Sequence, residues 1–206
     1  LAPCEQVRRS APIVAIIGTC MNAGKTMAAC ELVHGFRRRG LCVAAGKTTG
    51  VALQRDVLKM EDYGAEVTAS FLEAGVATTS PATAPDAARR VIQELNASAP
   101  DVIVLELGDG IVGEYGVGAI LAQDDITSHL KATVLAANDP VGAWGGHRML
   151  AGEYQLGTSV VTGPVTDNVV GTSFIQQQLD VPAANALTTP EKLTEIIFRE
   201  VFQNGL

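Results

Sequence analysis

A glycine-rich segment near the start of the chain has the residue types that bind phosphate. It runs from Gly18 to Thr26 as Gly-Thr-Cys-Met-Asn-Ala-Gly-Lys-Thr, between the apolar run Pro-Ile-Val-Ala-Ile-Ile and a helical pattern. Glycines let backbone amides converge on phosphate oxygens without a Cβ in the way, and the helix adds the positive end of its dipole. We therefore predict a phosphate-binding loop between a strand and a helix.

The last residues of this loop have expected roles in nucleotide chemistry. Lys25 would reach the outer phosphates and Thr26 would ligate a magnesium ion. The residues predicted to contact the nucleotide are Gly18, Thr19, Asn22, Ala23, Gly24, Lys25, Thr26 and Met27. The alternative is a turn that binds no ligand, with Lys25 solvated, but the strand before the loop and the helix after it favour the phosphate loop.

A carboxylate follows another apolar run, at the position of a Walker B acid. Glu106 comes directly after Val-Ile-Val-Leu and is followed by Leu-Gly-Asp-Gly. Such a carboxylate holds magnesium directly or through water, opposite Thr26, as phosphoryl-transfer sites require. The alternative is that Glu106 caps a turn and Asp109 is solvated.

A second lysine is expected at the same cleft. The second predicted strand ends Ala-Gly-Lys-Thr-Thr-Gly, which places Lys47 between two glycines. A cation there would hold an anionic substrate or the γ-phosphate, and electrostatic stabilisation is the main contribution a protein makes to phosphoryl transfer. Lys25 and Lys47 are therefore the predicted catalytic residues, although surface lysines beside glycine turns are common.

Three acids after the second strand are candidates to complete the magnesium shell. They are Asp56, Asp62 and Glu66. We prefer Asp62 because it stands where the next helix is expected to begin. Helix capping is the competing interpretation for Asp62, and solvation is the competing interpretation for the other two.

The segments after the later strands are polar and rich in glycine. Asn138 to His147 is suited to form a wall of the substrate or nucleotide site, with His147 expected at a helix start and Trp144 as a lid or interface aromatic. A general-base role for His147 is the less favoured alternative, because spacing identifies no partner for it. Asn185, after the last predicted strand, is a candidate to read the base by hydrogen bonding.

Short apolar runs alternate with helical patterns along the chain, which predicts an α/β fold. The predicted strands are Pro12 to Ile17, Leu41 to Ala45, Asp101 to Glu106, Ala132 to Ala137, Ser159 to Thr162 and Val181 to Ala184. The predicted helices are Lys25 to Arg39, Ala65 to Ala74, Pro85 to Asn96, His147 to Tyr154, Val169 to Leu179 and Pro190 to Phe202. This alternation indicates a three-layer arrangement, a mostly parallel sheet with helices on both faces, whose ligands bind beyond the carboxyl ends of the strands.

Composition fits one folded domain and argues against a nucleic-acid partner. The chain has 206 residues, 47% of them hydrophobic, and we treat residues 1–206 as a single domain. A net charge of −7 and a pI of about 4.9 differ from the basic footprint that nucleic-acid binding needs. The basic run Arg37 to Arg39 is expected to close a helix, where cations complement the dipole.

Cysteine usage and hydropathy give expectations about location. The four cysteines show no Cys-x-x-Cys spacing and are expected to be free thiols in a reducing cytoplasm. No apolar stretch approaches the roughly 20 residues that span a bilayer, and no signal pattern opens the chain, so we expect no membrane partner. Because the chain begins with Leu1, it is expected to be a fragment of a longer protein.

The motifs resemble those of a branch of the SIMIBI class of P-loop proteins. That branch contains dethiobiotin synthetase, the cobyrinate and cobyrate synthases and the molybdopterin-guanine dinucleotide accessory protein. The nine-residue loop is similar to its Gly-Thr-Asp-x-x-Val-Gly-Lys-Thr, Gly46 and Lys47 to its glycine-lysine pair, and Glu106 with the glycines that follow to its Glu-Gly-x-Gly-Gly turn. Cys20 replaces the loop aspartate, Thr48 replaces a proline and Leu107 interrupts the Glu-Gly pair.

The second-strand turn also resembles that of a bacterial P-loop family linked to D-glutamate N-acetylation. That family reads Thr-Gly-Gln-Thr-Gly where this chain reads Gly-Lys-Thr-Thr-Gly from Gly46 to Gly50. Its members carry an additional N-terminal domain, which would explain a chain that begins mid-protein.

These resemblances imply a function that depends on a nucleotide. The expected protein binds Mg-ATP and activates a small carboxylate or amine by phosphoryl transfer, as a ligase or kinase does. The alternatives are an accessory or switch domain that uses GTP or ATP, the P-loop domain of an N-acyltransferase-like protein, and a scaffold with a degenerate loop. A homodimer or a partner domain is expected with any nucleotide-dependent role.

Overall fold

A parallel six-stranded sheet forms the centre of the computed structural model, which describes residues 4–203. Its strands are β1 (Ile13–Gly18), β2 (Val43–Lys47), β3 (Val67–Ser70), β4 (Val102–Glu106), β5 (Leu130–Ala136) and β6 (Val160–Thr162). They are ordered β3-β2-β4-β1-β5-β6, and every neighbouring pair is parallel. β1 and β4 therefore lie at the centre, and their carboxyl ends meet at one edge of the sheet.

Helices cover both faces of this sheet. They are α1 (Lys25–Arg37), α2 (Arg55–Asp62), α3 (Ala84–Asn96), α4 (Val117–Leu121), α5 (Asp124–Thr127), α6 (Pro140–Glu153), α7 (Val169–Phe174) and α8 (Pro190–Phe202), and a π-helical turn, Ile175–Leu179, extends α7. In the part of the chain described, no helix is long and apolar enough to cross a membrane. The predicted α/β, three-layer arrangement is confirmed.

Alternate side chains of β1 divide the core into two layers. Ile13, Ala15 and Ile17 face a cluster that includes residues of α3, α4 and α6, whereas Val14 and Ile16 face residues of α1, α2 and α8. Successive side chains of a strand point to opposite faces of a sheet, so a strand covered on both faces is apolar throughout. All six residues of β1 are buried, which fixes the loop that follows to a rigid base.

Two predicted elements were wrong. A helix was expected from Ala65 to Ala74, but this segment holds β3, which pairs with β2 at Ala44↔Val67 and the following positions. The expected strand from Val181 to Ala184 forms only an isolated bridge, Val161↔Ala183, in the described structure. In both cases pairing with a neighbouring strand decided the outcome, and local sequence does not report that pairing.

One helix begins earlier than predicted. α6 starts at Pro140 and not at His147, because Asp139 accepts a hydrogen bond from the backbone N–H of Gly142 at 2.9 Å and so caps the helix. Proline at the first helical position fits this start, since its missing N–H has no intrahelical partner to lose.

Gly35 allows α1 and α8 to approach closely. A Cβ at this position would lie 2.3 Å from Oγ1 and 2.9 Å from Cβ of Thr194, which is buried. We expect Gly35→Ala to destabilise the protein by about 1–3 kcal/mol, the usual cost of overpacking a core. Thermal unfolding measures this, with Gly145→Ala as the control, because nothing lies within 4 Å of a Cβ at Gly145 of α6. That control is expected to be neutral or stabilising, and an equal response of the two variants would contradict the close approach.

Candidate functional site

A cleft of about 310 Å³ opens at the carboxyl ends of β1, β2 and β4. It is formed by the loop after β1, the start of α1, the segment after β2 and the segment after β4. The lining residues are Met21, Asn22, Gly24, Lys25, Thr26, Met27, Lys47, Gly50, Val51, Leu53, Arg55, Asp56, Glu106, Gly108, Asp109 and Tyr115. The structure therefore brings Lys25, Thr26, Lys47 and Glu106 together, as the sequence predicted.

The glycine-rich loop wraps around the side chain of Lys25. Gly24 adopts a φ of 96°, which favours glycine, and α1 begins at the next residue. A Cβ at Gly18 would lie 2.7 Å from Lys25 Nζ, and Nζ donates a hydrogen bond to the backbone oxygen of Cys20 at 2.8 Å. Burial lowers the pKa of Lys25, and the nearby carboxylate of Glu106 opposes this effect.

Thr26 and Glu106 form the opposite wall of the site. Thr26 Oγ1 donates a hydrogen bond to Glu106 Oε1 at 3.1 Å. Glu106 Oε2 is buried and has no hydrogen-bond partner in residues 4–203. Because burial disfavours the charged form, the pKa of Glu106 is raised, and the lysines of the cleft act in the opposite direction. An unpartnered buried carboxylate oxygen is an acceptor that a cation or a donor can satisfy.

This arrangement fits a magnesium ion that shares its shell with a nucleotide. A hydroxyl and a carboxylate oxygen are suitable hard ligands, and magnesium commonly binds through one or two carboxylates together with phosphate oxygens and water. Residues 4–203 contain no group of three or more His, Cys, Asp or Glu placed to hold a metal alone. A magnesium ion held by Thr26 and Glu106 would take its remaining ligands from phosphate oxygens and water.

Lys47 reaches the cleft through a slot between two glycines. A Cβ at Gly108 would lie 2.8 Å from Lys47 Cε, and a Cβ at Gly50 would lie 3.6 Å from the same atom. The ammonium group pairs with Oδ2 of Asp56, and Lys47 lies in register with Glu106 on the neighbouring strand. The slot holds the aliphatic chain in place and directs the charge into the cleft.

The structure places Asp56, and not Asp62, beside the predicted metal position. Asp62 was expected where a helix begins, but it is exposed at the end of α2, and neither it nor Glu66 lines the cleft. Glu66 instead pairs with Arg37 at the surface. Asp56 lies in the first turn of α2, so the preference for Asp62 was wrong in placement because the helix begins seven residues earlier than assumed.

Comparison with solved structures identifies the fold. The signal recognition particle receptor FtsY from Elizabethkingia anophelis aligns with a TM-score of 0.64 and 16% identity over 92% of this chain and 66% of that chain. A structure of the same receptor in complex with GDP aligns with a TM-score of 0.61 and 16% identity, over 95% of this chain and 65% of that chain. The signal recognition particle 54 kDa protein from Aeropyrum pernix K1, in complex with GDP, aligns with a TM-score of 0.61 and 16% identity. This alignment covers 96% of this chain and 47% of that chain.

This chain has a P-loop NTPase fold. The neighbours named above are P-loop NTPases of the SIMIBI class. This chain spans about two thirds of the receptor and about half of the 54 kDa protein. No protein-family model and no curated protein matches the sequence. The likeness to the dethiobiotin synthetase branch stays a prediction.

Asn185 has no free group with which to read a base in this P-loop NTPase fold. Its Nδ2 donates to Thr166 Oγ1 at 3.0 Å and to Asp167 Oδ1 at 2.7 Å, which uses both amide protons. Its Oδ1 accepts the backbone N–H groups of Leu187 and Thr188. The buried amide therefore ties the segment after β6 to the segment before α8, and the predicted base-reading role is not supported by these contacts.

The segment after β5 meets the phosphate loop at its start. Asn138 Nδ2 donates to Cys20 Sγ at 3.1 Å, which places this polar segment against the loop. His147 lies within α6, where its Nδ1 is 3.1 Å from Thr158 Oγ1, and burial lowers its pKa. Trp144 is half exposed on the same helix and lines a separate groove with Phe174. Neither His147 nor Trp144 lines the cleft.

Residues that line the cleft but were given no role from the sequence include Val51, Leu53, Arg55 and Tyr115. They lie in the segments after β2 and β4, where ligands of open α/β sheets bind. Their position directly after these strands was the signal by which the sequence could have identified them. The residue types of Val51, Leu53 and Tyr115 gave none, because apolar and aromatic side chains in such segments usually pack against the core.

Proposed function

We propose that this chain binds a nucleoside triphosphate with magnesium and transfers or hydrolyses its terminal phosphoryl group. The observation that carries the proposal is the unpartnered Glu106 Oε2 beside Thr26, in a cleft that also holds Lys25 and Lys47. Phosphoryl transfer needs positioned cations and a metal more than it needs covalent chemistry, and this cleft supplies both cationic side chains and oxygen ligands for a metal.

Each residue has a role in this proposal. The loop amides and Lys25 bind the outer phosphates, and Lys47 stabilises the charge on the group that is transferred. Thr26 and Glu106 are the residues that would hold magnesium, and the bound ion would neutralise charge on the β- and γ-phosphates. We prefer GTP over ATP because two of the structural neighbours are described in complex with GDP. The resemblance to dethiobiotin synthetase favours ATP.

Two candidate functions differ in the molecule that accepts the phosphoryl group. The first is activation of a small carboxylate or amine, supported by the cationic side chains of Lys47 and Arg55 in the same cleft. The second is a switch read by a partner protein or a second copy. Exposed apolar side chains at the cleft favour the second, with Met21 at 61%, Val51 at 44% and Leu53 at 42% exposure.

A melting-temperature screen tests the shared proposal. With magnesium, GTP or ATP should raise the melting temperature, and a ligand at 100 times its Kd adds about 2.7 kcal/mol of stability. The screen includes GDP, ADP and EDTA controls. Failure of every nucleotide would contradict the proposal. Turnover then separates the two functions, because a metabolite should accelerate hydrolysis by an activating enzyme and a partner protein should accelerate hydrolysis by a switch.

A further inference from the structure

The side chains that line the cleft have balanced formal charges. Three are cationic, Lys25, Lys47 and Arg55, and three are anionic, Asp56, Glu106 and Asp109. The whole chain carries a net charge of −7. A site for a polyanion is usually positive before the ligand arrives, because the surrounding field concentrates counter-charges. In this cleft the field of the lysines is already opposed by carboxylates of the protein.

The attraction between a lysine of the cleft and a carboxylate of the protein is strongest at Lys47. Its ammonium pairs with Asp56, and the two side chains are only 10% and 13% exposed. Charges that are shielded from water interact more strongly than surface charges, so this pair is held tightly. The glycine slot fixes the rest of the Lys47 chain. Only the ammonium group is free to exchange one anionic partner for another.

Asp56 is itself held beside the cleft. It lies in the first turn of α2, where Val57 and Met60 are buried against the core. Arg55 Nε lies 3.6 Å from the second oxygen of Asp56, Oδ1, so both oxygens face cations. A phosphate that approaches Lys47 must therefore compete with the Asp56 carboxylate for its ammonium group.

We infer that Asp56 is a specificity-determining residue that makes nucleotide binding depend on magnesium. The inference rests on the proposed nucleotide site. A metal-free triphosphate must compete with the Asp56 carboxylate for Lys47, and like charges at this distance repel. A nucleotide that brings its metal also brings compensating positive charge. Asp56 therefore weakens binding of the metal-free nucleotide more than binding of the magnesium complex.

Asp56→Asn separates this role from a structural one. The measured quantity is the ratio of the Kd for GTP in EDTA to the Kd in magnesium, by calorimetry, with ATP in place of GTP if ATP gives the larger melting shift. Without the carboxylate, metal-free binding should tighten and magnesium should help less, so the ratio should fall by roughly tenfold. Glu61→Gln removes one negative charge from an exposed position of the same helix and should leave the ratio unchanged. Asp56→Glu keeps the charge and should preserve magnesium dependence.

A measurement on the unmodified protein gives a second test. If metal-free GTP displaces Asp56 from Lys47, hydrogen exchange at the backbone amides of residues 54–60 should accelerate when GTP is added in EDTA. Added magnesium should reverse that change. Unchanged or slower exchange in EDTA, at a GTP concentration that saturates the site, would overturn the inference.

The outcomes distinguish this inference from the proposed function. If the wild-type protein binds the magnesium complex but Asp56→Asn leaves the ratio unchanged, the inference fails and the proposed site stands. Weaker binding by Asp56→Asn under both conditions means that the residue is structural and also overturns the inference. If no nucleotide binds to either protein, both proposals fail.

Discussion

Replacing Lys25 with alanine is expected to abolish nucleotide binding and leave the fold intact. Within the described structure, the ammonium group makes one hydrogen bond, to the backbone oxygen of Cys20, so few native contacts are lost. Hydrogen bonds to charged groups are each worth about 1.5–3 kcal/mol, so loss of the bonds to phosphate should weaken binding roughly 100-fold or more. Calorimetric titration of GTP and ATP in magnesium measures this loss.

A matched lysine variant controls for the change in net charge. Lys131 is exposed at the start of β5, far along the chain from the loop, and Lys131→Ala should bind nucleotide as the wild type does. Circular dichroism and the melting temperature verify that both variants are folded. Undiminished affinity of Lys25→Ala would mean that the loop does not hold the phosphates, and the proposed function would be wrong.

The central part of the site was predictable because its signals are local. The phosphate loop joins a strand of six buried residues to a helix that begins at Lys25, the position predicted from the sequence. Glu106 ends β4, and parallel strands bring their carboxyl ends to one edge. Each residue was therefore identified within its own segment, and the shared edge of the parallel sheet brings Lys25, Thr26 and Glu106 together.

The rest of the cleft depends on contacts between distant segments. The short strand β3 is defined by its pairing with β2, and missing it displaced the next expected helix, so Asp62 was expected at the cleft where the structure places Asp56. The slot that aims Lys47 needs Gly108, which is 61 positions away in sequence. The contacts of Asn185 could not be predicted for the same reason, because the partners that occupy its amide lie on a different loop.

A second large effect is expected from Glu106→Gln, which should stabilise the ligand-free protein and weaken magnesium-dependent binding. Burial raises the pKa of Glu106, so the folded protein holds a carboxylate whose charged form is disfavoured. A carboxyl group with a raised folded-state pKa supports folding at low pH, and that support is lost as the pH rises through the raised value. The glutamine variant carries no such charge, so its advantage over the wild type should be small at about pH 4 and larger at neutral pH.

The expected rise in melting temperature at neutral pH is about 2–4 °C, which corresponds to roughly 1 kcal/mol for a chain of this size. With magnesium and nucleotide present, the substitution should be unfavourable, because it weakens binding. Because the substitution puts a neutral amide in place of the Glu106 carboxylate, the affinity for magnesium with nucleotide should fall on the order of 10- to 100-fold. Glu114→Gln, at an exposed position in the segment after β4, should change neither quantity. A Glu106→Gln variant that is less stable without ligand would show that Glu106 stabilises the fold, and one that retains full magnesium-dependent binding would show that Glu106 does not serve the metal.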